Sequence, residues 1–297
     1  MLTRRAALAA FCGAARFRFL AQGNPLNIEL PARLNAENGL LIPARVNGGT
    51  QLWWLLDTGG GTLLYLNPLI AADLGIMPSF SGRSAGGLDP VLKPDDRALV
   101  TLDVGSAHVK NRQLVIKESI SVDAPVIGAA VFAESIIELD FQRPIVRLHP
   151  GTSFRYEGSG AAVPFDLWEN NPHVLGHLTI DDRDPVRARM TIDTGALGST
   201  AYLTPRFCDK LRHQGRSLTW IRGRNGFSAC RIDHLAVGRF TMERPIVHLL
   251  PDQGFGGKTG APDALLAIGF LKRYRIFLDY AKKMMILEPL PPRGEAV

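Results

Sequence analysis

Apolar residues in this chain fall in short runs of strand length, bounded by Gly, Pro, Asn and Asp, and seldom at the spacing of a helix face. Ala98–Val104, Gln113–Ile116, Ile232–Val237 and Pro245–Leu250 each read as strand. Two further runs, Leu52–Leu56 and Arg189–Ile192, are apolar and partly β-branched, and each enters Asp-Thr-Gly, as a buried strand would enter a tight loop. Helical signals are few. Asn67 and Thr204 are good N-caps, Pro68 and Pro205 suit the first helical position, and Gly75 and Gly215 suit helix ends. The pattern predicts a mostly β chain with short helices.

The same pattern occurs twice. Leu52-Trp53-Trp54-Leu55-Leu56-Asp57-Thr58-Gly59 matches Arg189-Met190-Thr191-Ile192-Asp193-Thr194-Gly195. Leu64-Tyr65-Leu66-Asn67-Pro68 then matches Ala201-Tyr202-Leu203-Thr204-Pro205, with one extra residue in the second copy. Val126-Ile127-Gly128 aligns with Ala267-Ile268-Gly269, and Leu139-Asp140-Phe141 through Pro150 with Leu278-Asp279-Tyr280 through Pro289. Matched segments in one order at similar spacing indicate a tandem duplication. The expected division is residues 1–24 as an arm, 25–155 as a first lobe and 156–297 as a second. The boundary lies in the Gly/Ser-containing stretch from Gly151 to Gly160.

Length and composition agree with two units. At 297 residues the chain suits two domains on a prior of about 150 residues each. With 46% hydrophobic and 21% charged residues it can bury a sizeable core, and 30 Gly and 20 Pro suit many tight turns. The net charge of +6 sits largely in short clusters such as Arg4-Arg5, Lys272-Arg273 and Lys282-Lys283. No basic stripe interleaved with aromatics occurs, so a solvated surface is favoured over a nucleic-acid site. Cys12, Cys208 and Cys230 form neither a disulfide framework nor a Cys-x-x-Cys site. Buried free thiols are expected, with a Cys208–Cys230 pair left open. Residues 1–24 read either as an export signal, since Thr3-Arg4-Arg5 resembles a twin-arginine start, or as a disordered arm. Arg16 and Arg18 run against the signal. Export would make the protein periplasmic or secreted; without it the protein is cytoplasmic. No run of eighteen apolar residues marks a membrane span.

Two Asp-Thr-Gly loops in a duplicated frame, each with a downstream apolar-apolar-Gly segment, resemble the aspartic protease superfamily, and within it bacterial retropepsin-like proteins with two lobes fused in one chain. The resemblance covers roughly residues 25–290. It implies two pseudo-twofold-related lobes, each a closed β-barrel-like unit with a short helix, and Asp57 and Asp193 paired at their interface. It further implies that Thr58 and Thr194 hydrogen-bond across the axis, and that Gly59 and Gly195 let backbone N–H groups approach the carboxylates. A β-hairpin flap would cover the cleft from each lobe. The tips would fall at Ser84–Leu88, with Gly86 and Gly87, and at Gly223–Phe227, with Asn225 and Gly226. Gly60-Gly61 departs from the family pattern and suggests a more pliable first loop. The implied partner is a polypeptide, handled by a monomer without metal or cofactor.

Peptide hydrolysis without a covalent intermediate needs one carboxylate to activate water and one carboxylic acid to donate a proton. Two carboxyls held together meet both needs, because repulsion keeps one of them protonated. The competing reading is a non-catalytic peptide-binding protein using the same cleft. Gly59-Gly60-Gly61-Thr62 lacks the Gly-Lys-Ser/Thr ending of a phosphate loop. His173 and His177 lack the His-Glu-x-x-His helix of a zinc protease. Asp140 and Asp279 read as structural strand-end carboxylates, and Ser199 has no evident His/Asp partners.

Overall fold

The computed structural model describes residues 27–77, 96–121, 123–222, 227–250 and 260–290. The first copy forms β1 (Ile28–Pro31), β2 (Arg33–Leu34), β3 (Leu40–Val46), β4 (Leu52–Asp57), β5 (Leu64–Leu66), α1 (Pro68–Asp73), β6 (Arg97–Val104), β7 (Ala107–Ile116), β8 (Val126–Gly128), β9 (Ser135–Asp140) and β10 (Ile145–Pro150). The second forms β11 (Ala161–Trp168), β12 (Asn171–Thr179), β13 (Val186–Ile192), β14 (Ala201–Leu203), α2 (Pro205–His213), β15 (Ile221–Arg222), β16 (Ser228–Arg231), β17 (His234–Val237), β18 (Phe240–Glu243), β19 (Ile246–Leu249), β20 (Ala264–Leu266), α3 (Ile268–Leu271), β21 (Tyr274–Asp279) and β22 (Met284–Pro289). The chain is mostly β and forms two lobes.

Strand pairing repeats with the sequence. β4 runs parallel to β8, and β5 lies antiparallel to β8 and parallel to β7. In the second lobe β13 runs parallel to β20, and β14 lies antiparallel to β20 and parallel to β19. The first lobe closes where β3, already paired with β4, also pairs with β6. The long β6–β7 hairpin has a counterpart broken in two, with β16 on β19 and β17 on β18. The break falls at Pro245, which has no N–H to give a ladder. The Ile232 N–H instead donates to the Pro245 carbonyl, at 3.2 Å, and carries the chain across the gap.

Between the lobes lies a sheet in the order β1-β10-β9-β21-β22-β11, three strands from each copy. Across β9 and β21, Ile137 faces Leu278, Glu138 faces Phe277 and Leu139 faces Ile276. Equivalent residues thus meet about an axis through Glu138 and Phe277. Pro31 and Pro164 take the same place on β10 and β22, extending the repeat to a segment too short to stand out in the sequence. Ile137, Leu139, Ile276 and Leu278 turn one face of this sheet into the core. The other face carries Glu138 against Arg147 and His149, with Phe154 and Tyr156 of the connecting segment packed on Phe277.

Both helix starts form as the caps dictate. Asn67 Oδ1 accepts from the Leu69 N–H at 3.0 Å, and Thr204 Oγ1 from the Phe207 N–H at 3.2 Å. Asp140 and Asp279 cap their own turns, accepting from the Gln142 and Lys282 N–H groups, both at 2.9 Å.

One correspondence is displaced. Asp57 lies beside Gly128 in the β4–β8 pairing, and continuing the register of β13 on β20 puts Ala267 beside Asp193. The counterpart of Val126-Ile127-Gly128 is therefore Leu265-Leu266-Ala267, two positions before the expected match. A Cβ at Gly128 would clash with the Gly60 and Gly61 carbonyls, whereas the longer second loop leaves room for the Ala267 methyl. Gly269 is needed for another reason: its Cβ would lie 2.6 Å from the Ser199 carbonyl oxygen.

Candidate active site

Strand β4 ends in Asp57, and β13 delivers Asp193 one residue past its end. Leu56 and Ile192, immediately before them, point into the core, so the alternation of the strand turns both carboxyls the other way. Each residue keeps some exposure to the cleft while its carboxyl group is enclosed by the two loops.

A reciprocal clasp joins the loops. Thr58 Oγ1 donates to the Ile192 carbonyl at 2.6 Å and accepts from the Thr194 N–H at 3.0 Å. Thr194 Oγ1 donates to the Leu56 carbonyl at 2.7 Å and accepts from the Thr58 N–H at 3.0 Å. All four bonds are buried, so each also removes a desolvation cost. The clasp holds the chain on both sides of the axis.

The glycines are dictated by the opposite carboxyl. A Cβ on Gly59 would lie 2.7 Å from Asp193 Cγ, and one on Gly195 2.5 Å from Asp57 Cγ. Their N–H groups are thereby free to donate to the preceding aspartates, Gly59 to Asp57 Oδ1 at 2.7 Å and Gly195 to Asp193 Oδ1 at 2.9 Å. The Ala196 N–H adds a second bond to Asp193 Oδ1 at 2.8 Å. Gly60-Gly61 is less free than its composition suggests. A Cβ on Gly60 would meet Gly128 Cα at 3.0 Å, and Gly61, at φ +58°, gives its carbonyl to the Ala130 N–H.

Burial raises the pKa of both aspartates, and a hydrogen bond joins their side chains. Asp193 is driven well above the usual carboxylate range by burial, by the charge of Asp57 and by that hydrogen bond. Two carboxyls in such contact titrate as a unit. Such a pair can take a proton from water at one oxygen and give one at another.

Several neighbours were not evident as site residues in the sequence. Tyr65 and Tyr202 flank the pair at matched positions. Burial first, then Asp57 beside Tyr65 and Glu37 and Asp193 beside Tyr202, raise their phenols. Their repetition was visible; their place beside the carboxyls was not. Ser199 has a partner in His248, whose Nδ1 lies 2.7 Å from its Oγ, but that hydroxyl donates to the Ala201 carbonyl and is not set up as a nucleophile. This pair borders a cavity of about 460 Å³ whose lining includes Glu37, Ile268 and Lys272. Cys208 and Cys230 are free thiols, raised by burial. The flap positions Gly86, Gly87, Asn225 and Gly226 lie outside the described residues, as do residues 1–24. Among the described residues no group of three or more His, Cys, Asp or Glu could hold a metal ion, and no helix is long and apolar enough to cross a membrane.

No protein-family model matches the chain, and neither does any curated protein. Among solved structures, the aspartic proteinase from Irpex lacteus is similar, with a TM-score of 0.54 over 89% of this chain and 97% of that one, at 12% identity. The likeness is one of fold.

Proposed function

We propose that this chain is an aspartic-type endopeptidase in which Asp57 and Asp193 activate a single water. The observation that carries the reading is the buried, hydrogen-bonded carboxyl pair, each member held by its own loop and the two loops clasped through Thr58 and Thr194. An extended peptide lies across the cleft with its scissile carbonyl over the pair. The ionised carboxylate takes a proton from water as the oxygen attacks, while the protonated carboxyl donates to the carbonyl oxygen. The resulting tetrahedral diol collapses as a proton passes to the leaving nitrogen and the C–N bond breaks. The pair ends with one proton, as it began.

Both half-sites lie in one chain, which supports a monomer as the working unit. The short lobes support a retropepsin-like relationship, and Thr3-Arg4-Arg5 supports bacterial export to the periplasm or beyond. The test is digestion of an unfolded protein from acidic to neutral pH, with and without a peptide bearing a hydroxyl-containing tetrahedral mimic at the scissile position. Cleavage blocked by the mimic is the expected outcome. Peptides bound but returned intact would overturn the reading in favour of a binding protein.

A further inference from the structure

The duplication supplies an internal comparison of the two sides of the cleft. On β4 the side chains sharing the face of Asp57 are Leu55 and Trp53; on β13 those sharing the face of Asp193 are Thr191 and Arg189. Leu55 pairs with Leu41 on β3, and Thr191 pairs with His173 on β12. Leu41, Trp53 and Leu55 are thus exchanged for His173, Arg189 and Thr191. The opposite face shows no such change: Trp54 and Leu56 are matched by Met190 and Ile192, all in the core. Polarity has changed only where the strand faces the carboxyls.

The polar side is a constructed one. His173 is 2% exposed, and its Nδ1 lies 3.2 Å from Thr191 Oγ1. Burial keeps the ring neutral, lowering its pKa to about 4. Trp168 packs edge-on against the ring, and its backbone carbonyl accepts a hydrogen bond from it. Arg189 is committed to Asp166, at 3.0 Å, and to the Gly260 carbonyl, so its charge is balanced. One buried atom beside this group, Asn171 Oδ1, has no hydrogen-bond partner among the described residues. Asn171 Oδ1 lies against the first catalytic loop, 3.5 Å from where a Gly61 Cβ would be. Buried polar atoms are normally satisfied, and an exception asks for a missing partner. Asn171 Oδ1 can accept from such a partner.

Resting on the peptidase reading, we infer that the second-lobe flank is a hydrogen-bonding subsite for an uncharged polar side chain, a carboxamide or hydroxyl, while the first-lobe flank takes a large apolar one. His173 and Thr191 set the difference. Substrates are therefore peptides with an apolar residue on one side of the scissile bond and Asn, Gln, Ser or Thr on the other.

A positional peptide library tests this with the wild type, the double variant His173→Leu/Thr191→Leu, which copies Leu41 and Leu55, and Asp57→Asn as the control for cleavage. The wild type should favour one apolar and one polar flank, and the double variant should shift by about ten- to hundredfold toward apolar residues on both. His173→Gln, which retains hydrogen bonding, should keep the wild-type preference and stands in if the double variant does not fold. Equal use of apolar residues on both flanks by the wild type, or an unchanged preference in the double variant, overturns the inference while leaving the peptidase intact. Absence of cleavage overturns the peptidase reading. The inference is then decided by binding of reduced-bond peptides with Asn or Leu at the polar flank, where equal affinities overturn it and tighter binding of the Asn peptide sustains it.

Discussion

At the scale of single residues, burial of the paired carboxyls ties stability to pH. Their pKa values are raised in the folded protein, so the native state keeps a proton that the unfolded chain releases above the ordinary carboxylate pKa of about 4. Stability from this pair is therefore greatest at acid pH and declines as pH rises from that value through the raised native one. Asp193→Asn, neutral and nearly isosteric, should raise the thermal midpoint at pH 7 and raise it less at pH 4. Calorimetry at the two pH values checks this, and a midpoint that falls at pH 7 would contradict it. The meeting of Asp57, Thr58 and Gly59 with their counterparts was legible because the residues are contiguous and stated twice. The His248–Ser199 contact was not, because β14 and β19 bring together residues 49 apart that no local pattern links.

At the scale of elements, N-caps and apolar runs gave helices and strands close to their observed positions, because each depends on neighbours in sequence. Registration of one copy on the other did not follow so directly. Gly269 offered an attractive match to Gly128, yet the pairing of β13 on β20 continues to Ala267 beside Asp193. The matched spacing of the following β9 and β21 segments contained the signal, since counting back from Asp140 and Asp279 reaches Gly128 and Ala267. The two positions should respond unequally. Gly128→Ala drives a methyl into the Gly60 and Gly61 carbonyls and should lower the urea midpoint sharply, whereas Ala267→Gly should cost only about 1 kcal/mol. Equal effects would contradict the assigned register.

At the scale of the whole molecule, the central sheet joins the lobes, and the charges on its outer face set its tolerance of acid. Glu138 is buried, which alone would raise its pKa, but hydrogen bonds and charge from His149 and Arg147 outweigh that and lower it. Arg275 from the second lobe stands 3.8 Å away and also reaches Asp140 at 3.5 Å. A depressed carboxylate pKa adds stability above the unfolded value of about 4.3 and loses it as pH falls through the lower native value. Glu138→Gln should therefore destabilise the protein at neutral pH by roughly 3 kcal/mol and flatten the acid limb of its stability profile. Denaturant melts from pH 2 to 7 would show it; an unchanged acid limb would remove Glu138 from this role. The two-lobed plan was legible in the repeat. This network was not, because it depends on which strands meet at the axis.

The most direct test of the shared-proton account is the cleavage rate of one peptide substrate, from acidic to neutral pH, by the wild type, Asp57→Asn and Asp193→Asn. The account predicts cleavage by the wild type and its loss in both variants, with circular dichroism showing each still folded. Cleavage persisting in either folded variant would contradict it, since neither carboxyl can hold and transfer the proton without the other.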